Sequence, residues 1–301
     1  MKHILLFILL LPFCLHAQQI ALTFDDAPTP DGLLYQGEVR TARIIDHLRK
    51  HNVKEVAFFV ITSNINASGQ ERLRKYTDEG FLLANHTHTH QPIKSLGTPK
   101  YIEDIIKADS ILRPVKGFAP WFRYPFLDEG RSRPARDSIR DALKKLELQN
   151  GYVTIDNYDW FLNALLQEAI QKKQRIDTVK LREVYIDHIW QSIVFYDNIA
   201  KKQLTRSPKH VLLLHENDLS ALFLGDLITH LKKKRWKIIS PTDAYKDPLA
   251  SHVPDVLFNG QGRVGAIAYE KKVPAKDLVQ ESEDEDYLRK LVEEKGVFKQ
   301  P

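Results

Sequence analysis

Several short runs of this chain are apolar on consecutive positions rather than on alternate ones. They are Ile20-Phe24 (IALTF), Val56-Ile61 (VAFFVI), Phe81-Ala84 and Val211-Leu214 (VLLL). A strand that is apolar on both faces belongs inside a covered, parallel sheet. Between these runs the period changes to that of a helix. Arg40-His51 places Ile44, Ile45 and Leu48 on one side, and Glu71-Glu79 stops at Gly80, a natural helix end. Further helices are expected over Pro99-Leu112, Ser138-Leu146 and Gly225-Lys234, and further strands over Phe118-Phe122, Gly151-Ile155 and Trp236-Ile239. Strand and helix alternate about seven times, which predicts an α/β domain built on a mainly parallel sheet or barrel.

Two parts break the rhythm. From Trp160 to Lys202 the chain is long, helical and rich in both charges, and reads as a helical insertion of about residues 161-206. Beyond Asp247 the pattern weakens, and residues 248-301 read as an extension. It should end in an amphipathic helix near Tyr287-Glu294, preceded by the acidic run Glu281-Asp286, where composition favours local mobility. The basic run Lys232-Arg235 is the solvated end of a helix. The main domain spans residues 18-247.

The N-terminus adds a location. Lys2 precedes an apolar run from Ile4 to Phe13, and Leu15-His16-Ala17 ends on a small residue. That is the pattern of a secretory signal over residues 1-17, cleaved after Ala17; the run is short for a membrane span. A secreted protein, periplasmic or extracellular and with no stable membrane insertion, is expected. Cys14 is the single cysteine. The processed chain would have no disulfide and no thiolate, and must rely on its core. With 43% hydrophobic residues in 301 it can build one. A formal charge of +5 is too mild to suggest a nucleic-acid partner.

Polar groups gather where the predicted strands end, and in a barrel that is where a site is built. Asp25 and Asp26 follow the first strand. Neighbours on an extended chain point to opposite sides, so one carboxylate can bind a metal while the other accepts a proton. Asn85-His86-Thr87-His88-Thr89-His90 follows the third strand. Neutral imidazole is a common zinc ligand. His86 and His90 share a side of a helical turn, whereas His86, His88 and His90 share a face of an extended chain; the spacing leaves both open. Arg123 leaves an aromatic strand and needs a carboxylate partner, for which Asp25 is the candidate. His215 ends an all-apolar strand, and a carboxylate beside it would raise its pKa and suit it to act as an acid.

In order, TFDD (Thr23-Asp26), HTHTH (His86-His90), RYPF (Arg123-Phe126), DNYDW (Asp156-Trp160) and LLLH (Leu212-His215) resemble the five motifs of the NodB-type polysaccharide deacetylases, carbohydrate esterase family 4. The resemblance covers roughly Ile20 to Tyr245. It implies a distorted (β/α) barrel of about seven parallel strands. It implies that Asp26, His86 and His90 hold a divalent metal, zinc first, with cobalt or nickel as alternatives. Asp25 would be the catalytic base, Arg123 its holder and His215 the general acid. Either Asp156 or Asp159 would orient His215. Trp160 and Leu213 would line the acetyl pocket, and the Phe126 N–H would face the oxyanion. His88 lies outside the pattern. The partner implied is an acetylated glycan, chitin-like or peptidoglycan, from which the enzyme releases acetate as an amide hydrolase. An O-acetyl xylan esterase and a non-catalytic glycan-binding protein are the alternatives. Oligomeric state leaves no trace in the sequence.

Overall fold

The computed structural model describes residues 17–300. The expected signal therefore lies, apart from Ala17, outside the described residues. Among those described, no helix is long and apolar enough to cross a membrane.

In chain order the elements are β1 (Gln19–Ala27), α1 (Gly37–Lys50), β2 (Ala57–Val60), α2 (Ala67–Asp78), β3 (Leu82–Asn85), α3 (Ile93–Leu96), α4 (Thr98–Leu112), β4 (Phe118–Phe122), α5 (Arg133–Lys145) and β5 (Gln149–Asn150). Then come α6 (Asp159–Gln171), β6 (Arg175–Ile176), α7 (Thr178–Leu204), β7 (Lys209–His215), α8 (Asp218–Lys233), β8 (Lys237–Ile239) and α9 (Pro241–Ala244). The extension adds α10 (Gly262–Glu270), α11 (Glu285–Glu294) and β9 (Phe298–Lys299).

Seven strands form one parallel sheet in the order β5-β4-β3-β2-β1-β7, with β8 also pairing β1. β7 runs along β1 from Gln19 to Asp25. The other edge of β1 is shared, β8 at Gln19–Ala21 and β2 from Thr23 onward. The curled sheet makes a half-barrel with helices outside, as expected of a distorted (β/α) barrel. Strand alternation sorts the apolar residues into two sets. Phe24, Phe58, Val60, Leu212 and Leu214 pack outward under α1, α2, α6 and α8. Ala57, Phe59, Ala84, Ala119 and Trp121 face the barrel interior.

The expected strand over Gly151-Ile155 is almost absent. Gln149–Asn150 pairs with β4, and Ile155 alone bridges Leu212. The reason is local. The Gly151 carbonyl accepts from Arg123 Nε at 2.8 Å, so a side chain takes the place of a ladder bond. A Cβ at Gly151 would stand 2.5 Å from the Phe59 ring, which leaves no room for another residue.

The extension fills the side this leaves open. Val264 and Ile267 of α10 join Ala21, Tyr152, Val211 and Ala244 in one buried cluster. Gly262 (φ +72) lies flat on Val153, where a Cβ would come within 2.7 Å of the Val153 carbonyl. Leu288, Val292 and Val297 enter the main core beside Phe161, Leu162 and Leu181, and β9 pairs antiparallel with β6. The mobility expected of the acidic run is not found. Glu281–Glu283 forms a 3-10 turn with Ser282 and Glu283 buried, and Asp284 caps α11 by accepting the Tyr287 N–H at 2.8 Å.

Candidate active site

Strand register supplies the first relationship. Asp25 lies opposite His215 on neighbouring strands. Residues 21, 23 and 25 of β1, and 211, 213 and 215 of β7, share the inward face. Leu213 therefore points to the same side as His215.

Arg123 reaches this face from the end of β4. Its Nη1 donates to Asp25 Oδ1 at 2.5 Å and to Thr23 Oγ1 at 2.9 Å, and Nη2 donates to the Tyr245 hydroxyl at 3.1 Å. The guanidinium lies 3.7 Å from the Phe59 ring centre. Burial raises the Asp25 carboxyl above its usual range, while the charge of Arg123 pulls it down. The expected ion pair is present, and both partners are buried.

Asp26, His86 and His90 meet. One ligand atom from each lies within 4.8 Å of the others, the one such group among the described residues. Asp26 Oδ1 stands 3.6 Å from His86 Nε2 and 3.4 Å from His90 Nε2. It is a buried oxygen with no hydrogen-bond partner among the described residues. His86 Nδ1 donates to the Arg123 carbonyl at 2.8 Å, which leaves the Nε2 lone pair facing Asp26. Burial, with repulsion from His90, lowers the His86 pKa to about 3, so the ring is neutral. Two imidazoles and one carboxylate whose buried oxygen has no other partner suit a divalent cation of zinc type.

The loop carrying the histidines is neither helix nor strand, so neither spacing argument describes it. Thr87 (φ 67) and His90 (φ 55) are left-handed, as are Asp26 (φ 69) and Phe126 (φ 58). Non-glycine residues hold such angles only where the surroundings enforce them. Here Asn85 Oδ1 accepts the Thr87 N–H at 2.8 Å, and Thr87 Oγ1 accepts the His90 N–H at 2.9 Å. Asp104 Oδ2 accepts from His88 N, Thr89 N and the Thr89 hydroxyl. His88 turns away and pairs through Nδ1 with Thr62 Oγ1 at 2.8 Å.

Of the two carboxylates in the fourth motif, Asp159 meets His215. Its Oδ1 accepts from Nδ1 at 2.6 Å, and its Oδ2 accepts the His215 backbone N–H at 3.0 Å. Asp156 does not take that place. Its Oδ1 accepts the Asn157 N–H at 2.8 Å instead. Burial disfavours the His215 imidazolium, but the charge and hydrogen bond of Asp159, with Asp26 and Asp25 beyond, raise its pKa to about 10. Trp160 is 39% and Phe126 56% exposed, the latter with its ring 4.8 Å from that of His90.

Several residues that shape the site gave no signal in sequence. Asp104 and Tyr245 come from surrounding helices and turns. Arg72 holds Glu216, the residue after His215, with two bonds of 2.7 and 2.8 Å. Glu216 also accepts from the Tyr76 hydroxyl and from Thr29 N, each at 2.7 Å. A buried carboxylate thus ties the loop after Asp26 to the loop after His215.

The family model described as polysaccharide deacetylase matches residues 14–151 of this chain. The chain is 30% identical over 145 residues to a peptidoglycan-N-acetylglucosamine deacetylase of Bacillus cereus, an alignment covering 47% of this chain and 46% of that protein. The chain thus spans less than half the length of this curated relative. Among solved structures it resembles peptidoglycan deacetylase PdaC of Bacillus subtilis, with TM-score 0.51, 18% identity, and coverage of 76% of this chain and 91% of that one. It also resembles a pseudoenzyme of carbohydrate esterase family 4 from Bacillus anthracis, with TM-score 0.51, 20% identity, and coverage of 76% and 65%. At such identities the likeness establishes the fold. A pseudoenzyme on the same fold means that activity has to be argued from the side chains.

Proposed function

We propose that this protein is a secreted polysaccharide deacetylase that hydrolyses N-acetyl groups of N-acetylglucosamine-containing glycans, of chitin or peptidoglycan type, and releases acetate. The catalytic unit is residues 18–247 with its helical insertion, and the leader over residues 1–17 is removed. The observation that carries this reading is the convergence of His215, held by Asp159, with Asp25 and the Asp26–His86–His90 cluster on one rim of the barrel.

Asp26, His86 and His90 would hold a divalent metal, zinc by preference over cobalt or nickel. Such an ion acts as a Lewis acid toward a carbonyl oxygen and lowers the pKa of a water toward about 7. Asp25, lifted by burial and held in place by Arg123, accepts a proton from the attacking water. The Phe126 N–H, presented by a left-handed backbone, donates to the oxyanion of the tetrahedral intermediate. The water oxygen has by then bonded to the acetyl carbon, and the carbon–nitrogen bond must break. An amide nitrogen cannot leave as an anion, so the imidazolium of His215 gives it a proton from Nε2. Acetate and a free amino sugar are the products. Leu213 and Trp160 wall the methyl group, and the exposed faces of Trp160 and Phe126 offer surfaces to sugar rings.

An imidazolium held by Asp159 suits an amide, whose nitrogen must be protonated before it leaves, more than an ester, whose alcohol leaves with less help. Acetate release from chitooligosaccharides, peptidoglycan fragments and acetylated xylan tests the reading, with metal stripped and zinc restored and with Asp25→Asn as control. Zinc-restored release from a glucosamine-type substrate, absent in Asp25→Asn, is expected. Release from acetylated xylan alone would make the protein an esterase, and no release with metal bound would make it a binding protein.

A further inference from the structure

Beside residues 149–152, where the expected strand fails to form, a cleft of about 410 Å³ opens between the main domain and the C-terminal extension. Leu143 and Lys144 of α5, Leu148 before β5, Tyr152, and Val253 and Arg263 of the extension line it. It is separate from the metal cluster, since none of Asp26, His86, His90 or His215 lines it.

Arg263, near the start of α10, is 4% exposed. Its Nη1 is spent on the main chain, donating to the His252 carbonyl at 2.8 Å and to the Leu249 carbonyl at 3.4 Å. The guanidinium carbon lies 4.5 Å from the centre of the Tyr152 ring, whose face fixes its position. The other edge, Nε–H with Nη2–H, donates to no described residue, and no described carboxylate forms an ion pair with it. Those two N–H groups are parallel, and they are the fork that grips a carboxylate or phosphate through two oxygens. Burial works against the Arg263 charge, and Glu129 is the first charge to offset it. Glu129 is already taken, by Arg140 Nη2 at 2.8 Å and by Asn150 Nδ2 at 2.9 Å.

We propose that this cleft binds a small organic acid, with the carboxylate on the Nε–Nη2 fork of Arg263 and the apolar body against Leu143, Leu148 and Val253. A buried cation with no charged partner is costly, and an oxyanion on its free edge removes that cost. The fork is held before any ligand arrives, because Nη1 is anchored to two carbonyls and Tyr152 supports the guanidinium, so little order is lost on binding. Lys144 adds a second cation at the cleft, while Arg140 and Glu129 pair with each other. The apolar walls select an organic acid over inorganic phosphate, which would leave them wet. Tyr245 also lines the cleft, and its hydroxyl accepts from Arg123 Nη2 at 3.1 Å, so the cleft backs onto the residue that holds Asp25. The extension thus supplies the anion-binding wall of a site that the main domain alone does not complete. The binding itself does not depend on the activity proposed above.

The test uses the full zinc-loaded chain and reads the Arg263 Nε–H resonance, assigned with Arg263→Lys, so that an acid bound at the metal does not count. The probes are hexanoate, its neutral counterpart hexanamide, and inorganic phosphate. Hexanoate should shift the resonance saturably at about millimolar concentration, phosphate more weakly and hexanamide not at all. Arg263→Lys keeps the charge and loses the fork. Read at the Val253 methyl groups, its affinity for hexanoate should fall about 10-fold or more, the measure of one charge-assisted hydrogen bond. Val253 is exposed, so Val253→Glu puts a like charge in the cleft without disturbing the core, and it too should weaken hexanoate binding. No saturable shift with hexanoate overturns the proposal, and so does an equal response to hexanamide. Unchanged affinity in either variant overturns it as well. Phosphate binding tighter than hexanoate would replace the organic acid by a phosphate. If Arg263→Lys does not fold, hexanamide and Val253→Glu decide. If the parent protein releases no acetate from any glycan, the deacetylase reading fails and these binding measurements stand unaffected.

Discussion

Asp159 holds His215 with both carboxylate oxygens, one on the ring Nδ1 at 2.6 Å and one on the backbone N–H at 3.0 Å. The grip fixes the ring orientation and the tautomer together, so that Nε2 faces outward with its proton. Asp159→Asn keeps the shape and removes the charge that sustains the imidazolium. It is expected to lower kcat on an N-acetyl substrate about 10²–10⁴-fold, the usual span for a positioned acid. Zinc affinity should not change. Steady-state kinetics beside metal titration check this, and a loss under about 10-fold would remove His215 from the role of acid.

Asp104 touches no expected metal ligand, yet it collects three donors from the loop between His86 and His90. Asp104→Ala frees that loop. Zinc affinity should fall about 10–100-fold, as for other outer-shell partners, with little change in thermal midpoint. Competition against a chromogenic chelator measures it. Unchanged affinity would mean that the left-handed turns at Thr87 and His90 hold themselves.

Arg72 and Glu216 form a buried bidentate pair. Arg72→Met leaves a buried carboxylate with only Tyr76, Thr41 and Thr29 around it. Removing one partner of such a pair typically costs about 3–5 kcal/mol, which urea unfolding will read. Adding Glu216→Leu should recover much of the loss. A double variant no more stable than the single one would show that the other bonds to Glu216 matter more than the ion pair.

Stability should decline toward acid because of Asp197 and His210, which meet at 3.2 Å. Burial opposes ionisation of Asp197, but hydrogen bonds from His210 and Lys201 outweigh it and hold its carboxyl below the usual range. A depressed acid contributes stability above its unfolded pKa, near 3.8, and loses it as pH falls toward the folded value. Burial also lowers His210 below 6.5, so the unfolded chain takes up that proton first as pH drops. Both act in one direction. Urea midpoints at pH 7, 5.5 and 3.5 should fall steadily in the parent and less steeply below pH 4 in Asp197→Asn. Parallel curves would assign the acid sensitivity elsewhere.

The sequence alone determined where chemistry would sit. Runs apolar on both faces can only be covered strands of a parallel sheet, and the polar residues that end them must lie on one rim. That places Asp25, Asp26, His86, Arg123 and His215 together. It also separated the insertion and the extension, whose patterns follow no strand. Tertiary structure decided what spacing could not. Asp156 and Asp159 are alike in sequence, and only the start of α6 brings one of them onto His215. The histidine loop takes left-handed turns enforced by Asn85, Thr87 and Asp104, which no periodicity encodes. The strand expected after Gly151 dissolves because Arg123 takes its carbonyl. The acidic run Glu281-Asp286 reads by composition as locally mobile, yet Ser282 and Glu283 within it are buried, because their partners Ser192 and Tyr196 lie far off in the chain. Local pattern records which face of an element is apolar; it holds no record of which distant side chain will satisfy a buried charge.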